Sequence, residues 1–238
     1  MHDFGKIVYL DVEKTGSTFI SNFLRQNLIL KERSFRKHDR IKRKKAKRFY
    51  IISMREPLAQ YISLYQYGVS GKGRMAASFD KSAYTKYYQA GSTLAFERWL
   101  ALMLDPEPPV FSGDPYLRLQ PAIFGLQTYR FLRLAIPGSL RRLKNLTTNS
   151  ALQAFYDKHK VPDFVVKTEN LTADLEKIAL FELGPFFRPR EQVMSYLRKS
   201  DRINTSKTGD AFQPDKLSPD LIGYLKEKEW FIYENFYR

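Results

Sequence analysis

The first thirty residues read as a strand, a glycine-bearing turn and a helix, and this order constrains the fold more than any other feature. Residues 7–12 (IVYLDV) are apolar and rich in β-branched and aromatic side chains, which predicts a buried strand. The turn at residues 13–18 (EKTGST) is small and polar, and apolar residues then recur at helical spacing from Ser17 to Leu30. Such a sequence of elements opens a parallel α/β unit.

The same alternation continues along the chain. Residues 49–54 (FYIISM) predict a second buried strand, and Pro57 sits where a proline favours the first turn of the next helix. Residues 163–167 (DFVVK) predict a third strand, followed by a helix from Asn170 to Leu183. The pattern predicts a three-layer α/β fold with a mostly parallel central sheet.

The length of 238 residues favours one large domain, spanning residues 1–238, or at most two small ones. A short strand is expected at residues 33–37, and the last clear helix starts at Ser218-Pro219-Asp220. Residues 68–93 carry four glycines and predict an excursion that shapes a substrate site.

The chain is strongly basic, with a formal net charge of +15 and nine Lys or Arg residues between Arg36 and Arg48. This charge favours an anionic partner, and the basic run is interpreted either as a solvated segment or as a wall facing an anionic ligand. The absence of cysteine excludes disulfides, thiolate zinc sites and a cysteine nucleophile. Without a signal-like or membrane-spanning apolar run, the expectation is a soluble, cytoplasmic protein.

The turn Lys14-Thr15-Gly16-Ser17-Thr18 has the residue types of an anion site. The start of a helix presents unpaired N–H groups and the positive end of its dipole, and Gly16 lets the backbone approach a phosphate. Ser17 and Thr18 offer hydroxyl donors and Lys14 a mobile charge. An ordinary capped turn is the plainer alternative. A Walker A motif is excluded, because its lysine follows the second glycine whereas Lys14 precedes Gly16.

Two segments together resemble the sulfotransferase family. Val8 to Leu24 is similar to that family's 5′-phosphosulfate loop, a strand followed by Pro-Lys-Thr-Gly-Ser/Gly-Thr and a helix. Ile51 to Tyr65 is similar to its 3′-phosphate segment, in which an arginine ends a strand and a serine follows eight residues later, here Arg55 and Ser63. The stretch from Asn204 resembles the ending of carbohydrate-type members.

The resemblance implies a P-loop-like sulfotransferase. Its co-substrate would be 3′-phosphoadenosine 5′-phosphosulfate (PAPS), released as adenosine 3′,5′-bisphosphate (PAP), and the scheme requires no metal. Lys14 would stabilise charge on the leaving phosphate, while Arg55 and Ser63 would bind the 3′-phosphate. The loop containing Lys207, Thr208 and Gly209 would close over the nucleotide, with an ordinary linker as the alternative. The residues implied to bind the nucleotide are Lys14, Thr15, Gly16, Ser17, Thr18, Arg55, Ser63, Lys207, Thr208 and Gly209.

His38 is the first candidate for the base that takes the acceptor proton. In several relatives an acid or histidine soon after the second strand has this role, imidazole titrates in a useful range, and Asp39 could orient the ring. A surface histidine within a charge run is the alternative. His2 and His159 are expected to be solvated. Other candidates for the base are Glu13, Glu97 and Glu169.

Glu13 departs from the family pattern, which usually has proline at this position. A carboxylate beside a phosphate site repels the ligand unless it points away or pairs with a cation. A residue of the basic run is one such partner, and Glu13 could instead orient Lys14 or belong to the acceptor site.

Two other classes of function stay open. A nucleotide or small-molecule kinase with an unusual phosphate loop predicts acidic metal ligands after a core strand, but Arg55 follows the second strand. A non-catalytic polyanion-binding module is favoured by the charge alone, whereas the aromatic residues lie mostly at core spacing, so nucleic acid is not the expected partner. The acceptor is expected to be a glycan or glycoconjugate hydroxyl.

Overall fold

The computed structural model describes residues 1–105, 115–120, 122–199 and 213–238, which group into two compact units. The first unit comprises Met1–Glu56, Arg130–Ser139 and Tyr156–Thr205. The second comprises Pro57–Tyr129, Leu140–Phe155 and Ser206–Arg238. Each is described by itself.

The first unit holds a five-stranded sheet in the order β3-β1-β2-β4-β5. Its strands are β1 (His2–Asp3), β2 (Ile7–Leu10), β3 (Ser34–Phe35), β4 (Phe49–Met54) and β5 (Phe164–Lys167). The three longer strands pair in parallel, Tyr9 opposite Ile51 and Ile51 opposite Phe164. The two-residue strands β1 and β3 pair antiparallel at one side, so the sheet is mixed where mostly parallel pairing was predicted.

Eleven α-helices occur in the described residues. They are α1 (Ser17–Asn27), α2 (Pro57–Val69), α3 (Lys81–Tyr87), α4 (Thr93–Leu104), α5 (Leu126–Ala135), α6 (Ser139–Leu143), α7 (Asn149–His159), α8 (Leu171–Lys177), α9 (Arg190–Lys199), α10 (Pro219–Lys228) and α11 (Trp230–Phe236). Every helix in these ranges is too short or too polar to cross a bilayer.

The sheet of the first unit is buried on both faces, as parallel strands require. Ile7, Tyr9, Ile51 and Val166 join apolar residues of α1, α8 and α9 in one core cluster. Val8 and Ile52 alternate with them along the strands and are also buried. This two-sided burial explains why β2 and β4 are nearly continuous apolar runs.

Most sequence-predicted elements of the first unit are confirmed, with shifted boundaries. The second predicted strand coincides with β4, whereas the first ends at Leu10 and the third begins at Phe164. The helix predicted to end at Leu183 divides into α8 and a π-helix at Ile178–Glu182. The fold is therefore mixed α/β, as the alternation of elements indicated.

The second unit is built around aromatic side chains. Tyr65 lies 5.2 Å from Phe96 and 5.3 Å from Trp99 between ring centroids, and all three rings are buried. A buried carboxylate, Glu229, accepts hydrogen bonds from the Tyr61 hydroxyl (2.7 Å) and the Thr128 amide (2.8 Å). Because the carboxylate accepts from the first turn of α5, it caps that helix.

Candidate functional site

The phosphate loop, residues 12–18, joins β2 to α1 in the first unit. Gly16 has φ 73° and ψ 18° at the N-cap of α1, in the left-handed region that glycine adopts without steric cost. Lys14 also has a positive φ of 64°, which is unusual for a residue with a side chain. Ser17 and Thr18 form the first turn of α1, and Thr18 is exposed. The loop therefore presents the start of an eleven-residue helix, where anions are favoured.

The Thr15 hydroxyl points into the protein. Its Oγ1 donates to the carbonyl of Val12 (2.8 Å) and lies 2.6 Å from the Ser53 hydroxyl on β4. Ser53 in turn lies 2.8 Å from the hydroxyl of Tyr9 on β2, and all of these hydroxyls are buried. Since each hydroxyl has one hydrogen, Tyr9 donates to Ser53, Ser53 to Thr15 and Thr15 to Val12. A contact between Thr15 and a phosphate would therefore have to come from its backbone N–H.

Glu13 forms an ion pair with an arginine of α5. Its Oε2 lies 3.0 Å from Nη2 of Arg130, whose side chain is 10% exposed. The Arg130 guanidinium lowers the pKa of Glu13, burial opposes this shift, and His38, Arg133 and Lys37 lower the pKa further. The ion-pair partner thus comes from α5 and not from the basic run, which contributes only the weaker effects of His38 and Lys37.

Lys14 lies among other cations. Burial lowers the pKa of its ammonium, and the charges of Arg55 and Lys37 lower the pKa further, while Glu13 opposes them. Like charges that lower the pKa of an ammonium repel it, so this environment favours an anion. This places the predicted residues Lys14 and Arg55 in one electrostatic environment.

Arg55 directly follows β4, at the edge where the parallel strands of the first unit end. The next backbone N–H, of Glu56, donates to Oε1 of Glu169 (2.9 Å), and the Thr168 hydroxyl donates to the carbonyl of Met54 (2.9 Å). These contacts connect the ends of β4 and β5 around Arg55. Ser63 is a buried residue of α2, in the second unit, and its partnership with Arg55 stays a prediction.

His38 is held by Asp11, at the end of β2. Its Nδ1 lies 2.7 Å from the Asp11 carbonyl oxygen, and the Asp11 carboxylate accepts from the His38 backbone N–H (3.0 Å). A carbonyl oxygen can only accept, so Nδ1 carries the hydrogen and Nε2 carries the lone pair of the neutral ring. Arg133 of α5 also donates to the His38 carbonyl (2.6 Å). Asp11 and Arg133 therefore hold both the ring and the backbone of His38.

The acid beside the ring is Asp11 and not the predicted Asp39, because the Asp11 Oδ2 lies 3.2 Å from His38 Nδ1. The Asp39 carboxylate lies 3.7 Å from the Arg36 guanidinium and accepts from the Arg40 backbone N–H, so its described contacts are with neighbouring residues of its own loop. Strand pairing explains the choice: His2 lies opposite both Tyr9 and Phe35, which brings the residues after β3 to the end of β2. Burial alone would raise the pKa of Asp11, but hydrogen bonds from His38 and the Met1 amino group lower the pKa to about 2.

The remaining candidates have different surroundings. Glu97 accepts from the Ser218 backbone N–H (2.7 Å) at the start of α10, in the second unit, and exposed Glu169 accepts from Glu56. His2 is buried, 2.6 Å from Glu32 and stacked on Phe35, so the expectation of a solvated His2 was wrong. Lys207, Thr208 and Gly209 lie outside the described residues.

The basic run is a largely exposed segment whose lysines and arginines make few ion pairs. The described pairs of these lysines and arginines are Arg36 with Asp39 inside the run, and Lys44 with Asp163 (2.8 Å) and Arg48 with Asp3 (2.8 Å) outside it. In the part of the chain that the structure describes, acidic and histidine side chains form no cluster of three or more that could hold a metal ion.

Comparison with known proteins identifies the family of the chain. A family model described as "Sulfotransferase family" matches residues 1–235, nearly the whole chain. No curated protein and no solved structure is significantly similar to the chain.

Proposed function

The chain belongs to the sulfotransferase family, and from this premise we propose that it transfers a sulfuryl group from PAPS to a hydroxyl of a carbohydrate or related acceptor. The observation that carries the proposal is the shared environment of Lys14 and Arg55, at the ends of two adjacent parallel strands. In open α/β sheets this edge is where ligands bind.

The donor carries anions at two places, and each has a proposed partner. The 5′-phosphosulfate would lie on the phosphate loop, against the backbone N–H groups of the first turn of α1 and the hydroxyls of Ser17 and Thr18. Arg55 would bind the 3′-phosphate through its guanidinium, with Ser63 adding a hydroxyl as the resemblance implies.

The reaction would be an in-line displacement at sulfur. The acceptor oxygen forms a bond to sulfur, the bond between sulfur and the bridging phosphate oxygen breaks, and that electron pair leaves with PAP. Lys14 would stabilise the charge that appears on the leaving oxygen. His38 Nε2 would take the acceptor proton, because the contact of Nδ1 with the Asp11 carbonyl leaves the lone pair on Nε2.

Ligand-induced stabilisation tests the donor class against the two alternatives. PAP should raise the melting temperature of the protein in the absence of metal, because a ligand that binds only the folded state stabilises it. Stabilisation by ATP with magnesium but not by PAP would favour the kinase. Stabilisation by heparin alone would favour the polyanion-binding module. A screen of carbohydrate acceptors with PAPS then identifies the hydroxyl.

Arg55→Ala tests the 3′-phosphate contact. We expect PAP to bind more weakly by roughly 1.5–3 kcal/mol, the range for hydrogen bonds to charged groups, when measured by calorimetry. Arg141→Ala, at an exposed arginine of α6, is the matched control and should bind PAP like the wild type. Unchanged affinity in Arg55→Ala removes this residue from the site.

A further inference from the structure

The phosphate loop holds a lysine in a disfavoured conformation. Lys14 has φ 64°, a left-handed value that costs energy for a residue with a Cβ, and such residues persist only when their surroundings hold them there. The residue that follows, Thr15, is fixed by the buried bonds of its hydroxyl to Val12 and Ser53. One side of Lys14 is thereby anchored to the sheet.

The other side is anchored by a side-chain pair. Glu13 and Arg130 are 3.0 Å apart between charged atoms, and the Arg130 side chain is nine-tenths buried. Arg133, one turn along α5, donates to the carbonyl of His38. The same face of α5 thus holds both the phosphate loop and the candidate base.

A glutamate is an unexpected choice beside an anion site. Its charge repels a phosphate, and it lacks the ring by which a proline restricts the backbone. We propose that the Glu13–Arg130 pair is a tether that holds the phosphate loop in its binding geometry, and that Arg130 is accordingly a positioning residue. The proposal rests on the proposed function, because the loop's ligand is taken to be the 5′-phosphate end of PAP.

The tether and electrostatics alone predict opposite changes in the affinity for PAP when Glu13 is replaced by glutamine. Glu13→Gln removes a negative charge near the ligand, which on electrostatic grounds alone should tighten binding of PAP. If the pair is a tether, the same change releases the loop, and PAP should bind about tenfold more weakly, a typical effect of losing one charge-assisted contact. Calorimetry with PAP shows whether the affinity of Glu13→Gln rises or falls.

Matched variants separate the tether from general effects of charge. Arg130→Gln should weaken PAP binding to a similar extent. Glu182→Gln and Arg141→Gln, at exposed residues outside the loop, should leave PAP binding unchanged. Thermal unfolding of each variant without ligand checks that it is folded. If Arg130→Gln does not fold, Glu13→Gln alone decides the outcome.

Glu13→Pro gives the second measurement. A proline ring restricts the loop without a partner, so Glu13→Pro should bind PAP within about threefold of the wild type. Adding Arg130→Gln to Glu13→Pro should then have little further effect, because the two residues act as one unit.

The outcomes distinguish the tether from the proposed function. If the wild type does not bind PAP, the proposed function fails. If the wild type binds PAP and Glu13→Gln binds it equally or more tightly, the tether fails while the function stands. The tether also fails if Arg130→Gln costs as much in the Glu13→Pro background as alone, because Arg130 would then act on the nucleotide directly.

Discussion

The phosphate loop and the segment that carries His38 both meet the end of β2, but different contacts hold them. The phosphate loop continues from β2 into α1, and the hydroxyl of Thr15 fixes it to Val12, three residues earlier, and to Ser53 on the neighbouring strand. The His38 segment, residues 33–39, reaches the same place through the edge strand β3, which pairs with β1 beside β2, and Asp11 and Arg133 hold it.

This difference has a consequence for the proposed chemistry. The phosphate-loop residues that would bind the donor are contiguous, and the bond from Thr15 to Val12 sets part of their geometry locally. The proposed base depends on contacts between residues 27 and 95 positions apart. Both regions hold a non-glycine residue at positive φ, Lys14 at 64° and His38 at 52°. We therefore expect the two regions to respond differently to substitution, the loop through the donor and the segment through proton transfer.

The largest effect should come from removing the proposed base. His38→Ala should lower kcat by ~10²–10⁴-fold, the usual cost of losing a general base, while PAP binds normally. His159→Ala, a histidine at the end of α7, is the matched control and should retain wild-type kcat. Steady-state kinetics with an acceptor from the carbohydrate screen provides the measurement. A kcat within threefold of the wild type in His38→Ala would assign the base to another residue, with Glu13 the next to test.

The second effect belongs to the phosphate loop. Lys14→Ala should lower kcat by ~10²–10³-fold, because its charge matters most as the leaving phosphate develops charge. Binding of PAP, measured by calorimetry, should weaken far less than kcat falls. Lys37→Ala, an exposed cation of the basic run, is a control for the loss of positive charge alone. An unchanged kcat with a raised KM for PAPS in Lys14→Ala would reduce its role to anchoring.

The sequence was sufficient to predict the strands, helices and motifs that depend on a local pattern of residues. Strand β4 was predicted with its exact bounds, and the start of α1 at Ser17, because continuous apolar runs and a polar turn fix such elements. The sulfotransferase resemblance was likewise carried by contiguous motifs, and the family match over residues 1–235 confirms it.

Contacts between distant residues were not predictable from the same pattern. Asp39 adjoins His38 in sequence, yet Asp11 orients the ring. Strand β1 pairs with both β2 and β3, and this brings the residues after β3 to the end of β2, where Asp11 lies. Strand β1 has only two residues, too few to give a periodic signal. Arg130 lies in a stretch of the chain that the motifs left unassigned, so its pairing with Glu13 required the fold.

The third effect concerns stability and its dependence on pH. The folded pKa of Asp11 is about 2, below its ordinary value of 3.8, so the ionised carboxylate stabilises the fold above about pH 4 and this contribution disappears as the pH falls toward 2. Asp11→Asn should therefore lower the free energy of unfolding by ~2 kcal/mol at neutral pH. Urea unfolding at several pH values should show the difference from the wild type shrinking below pH 4.

Asp39→Asn is the matched control, because it makes the same change beside His38 at a partly exposed residue. It should have little effect on stability at any pH, as expected for an exposed pair. A pH-independent loss in Asp11→Asn would mean that the carboxylate contributes by packing and not by its charge. An Asp39→Asn variant that loses activity like His38→Ala would restore the orienting role to Asp39.

The smallest effect separates structure from binding within the phosphate loop, through two threonines three residues apart. Thr15→Val should lower the free energy of unfolding by about 1–2 kcal/mol, because the buried Ser53 hydroxyl loses the oxygen to which it donates. Thr15→Ser should recover most of that loss.

Thr18→Val makes the same change at an exposed position in the first turn of α1, and should instead weaken PAP binding with little change in stability. Urea unfolding and calorimetry on all three variants give the two quantities. Because the Thr15 hydroxyl is already committed to Val12, a Thr15→Val variant that keeps full stability but loses PAP affinity would mean that this hydroxyl turns outward to the phosphate when the nucleotide binds.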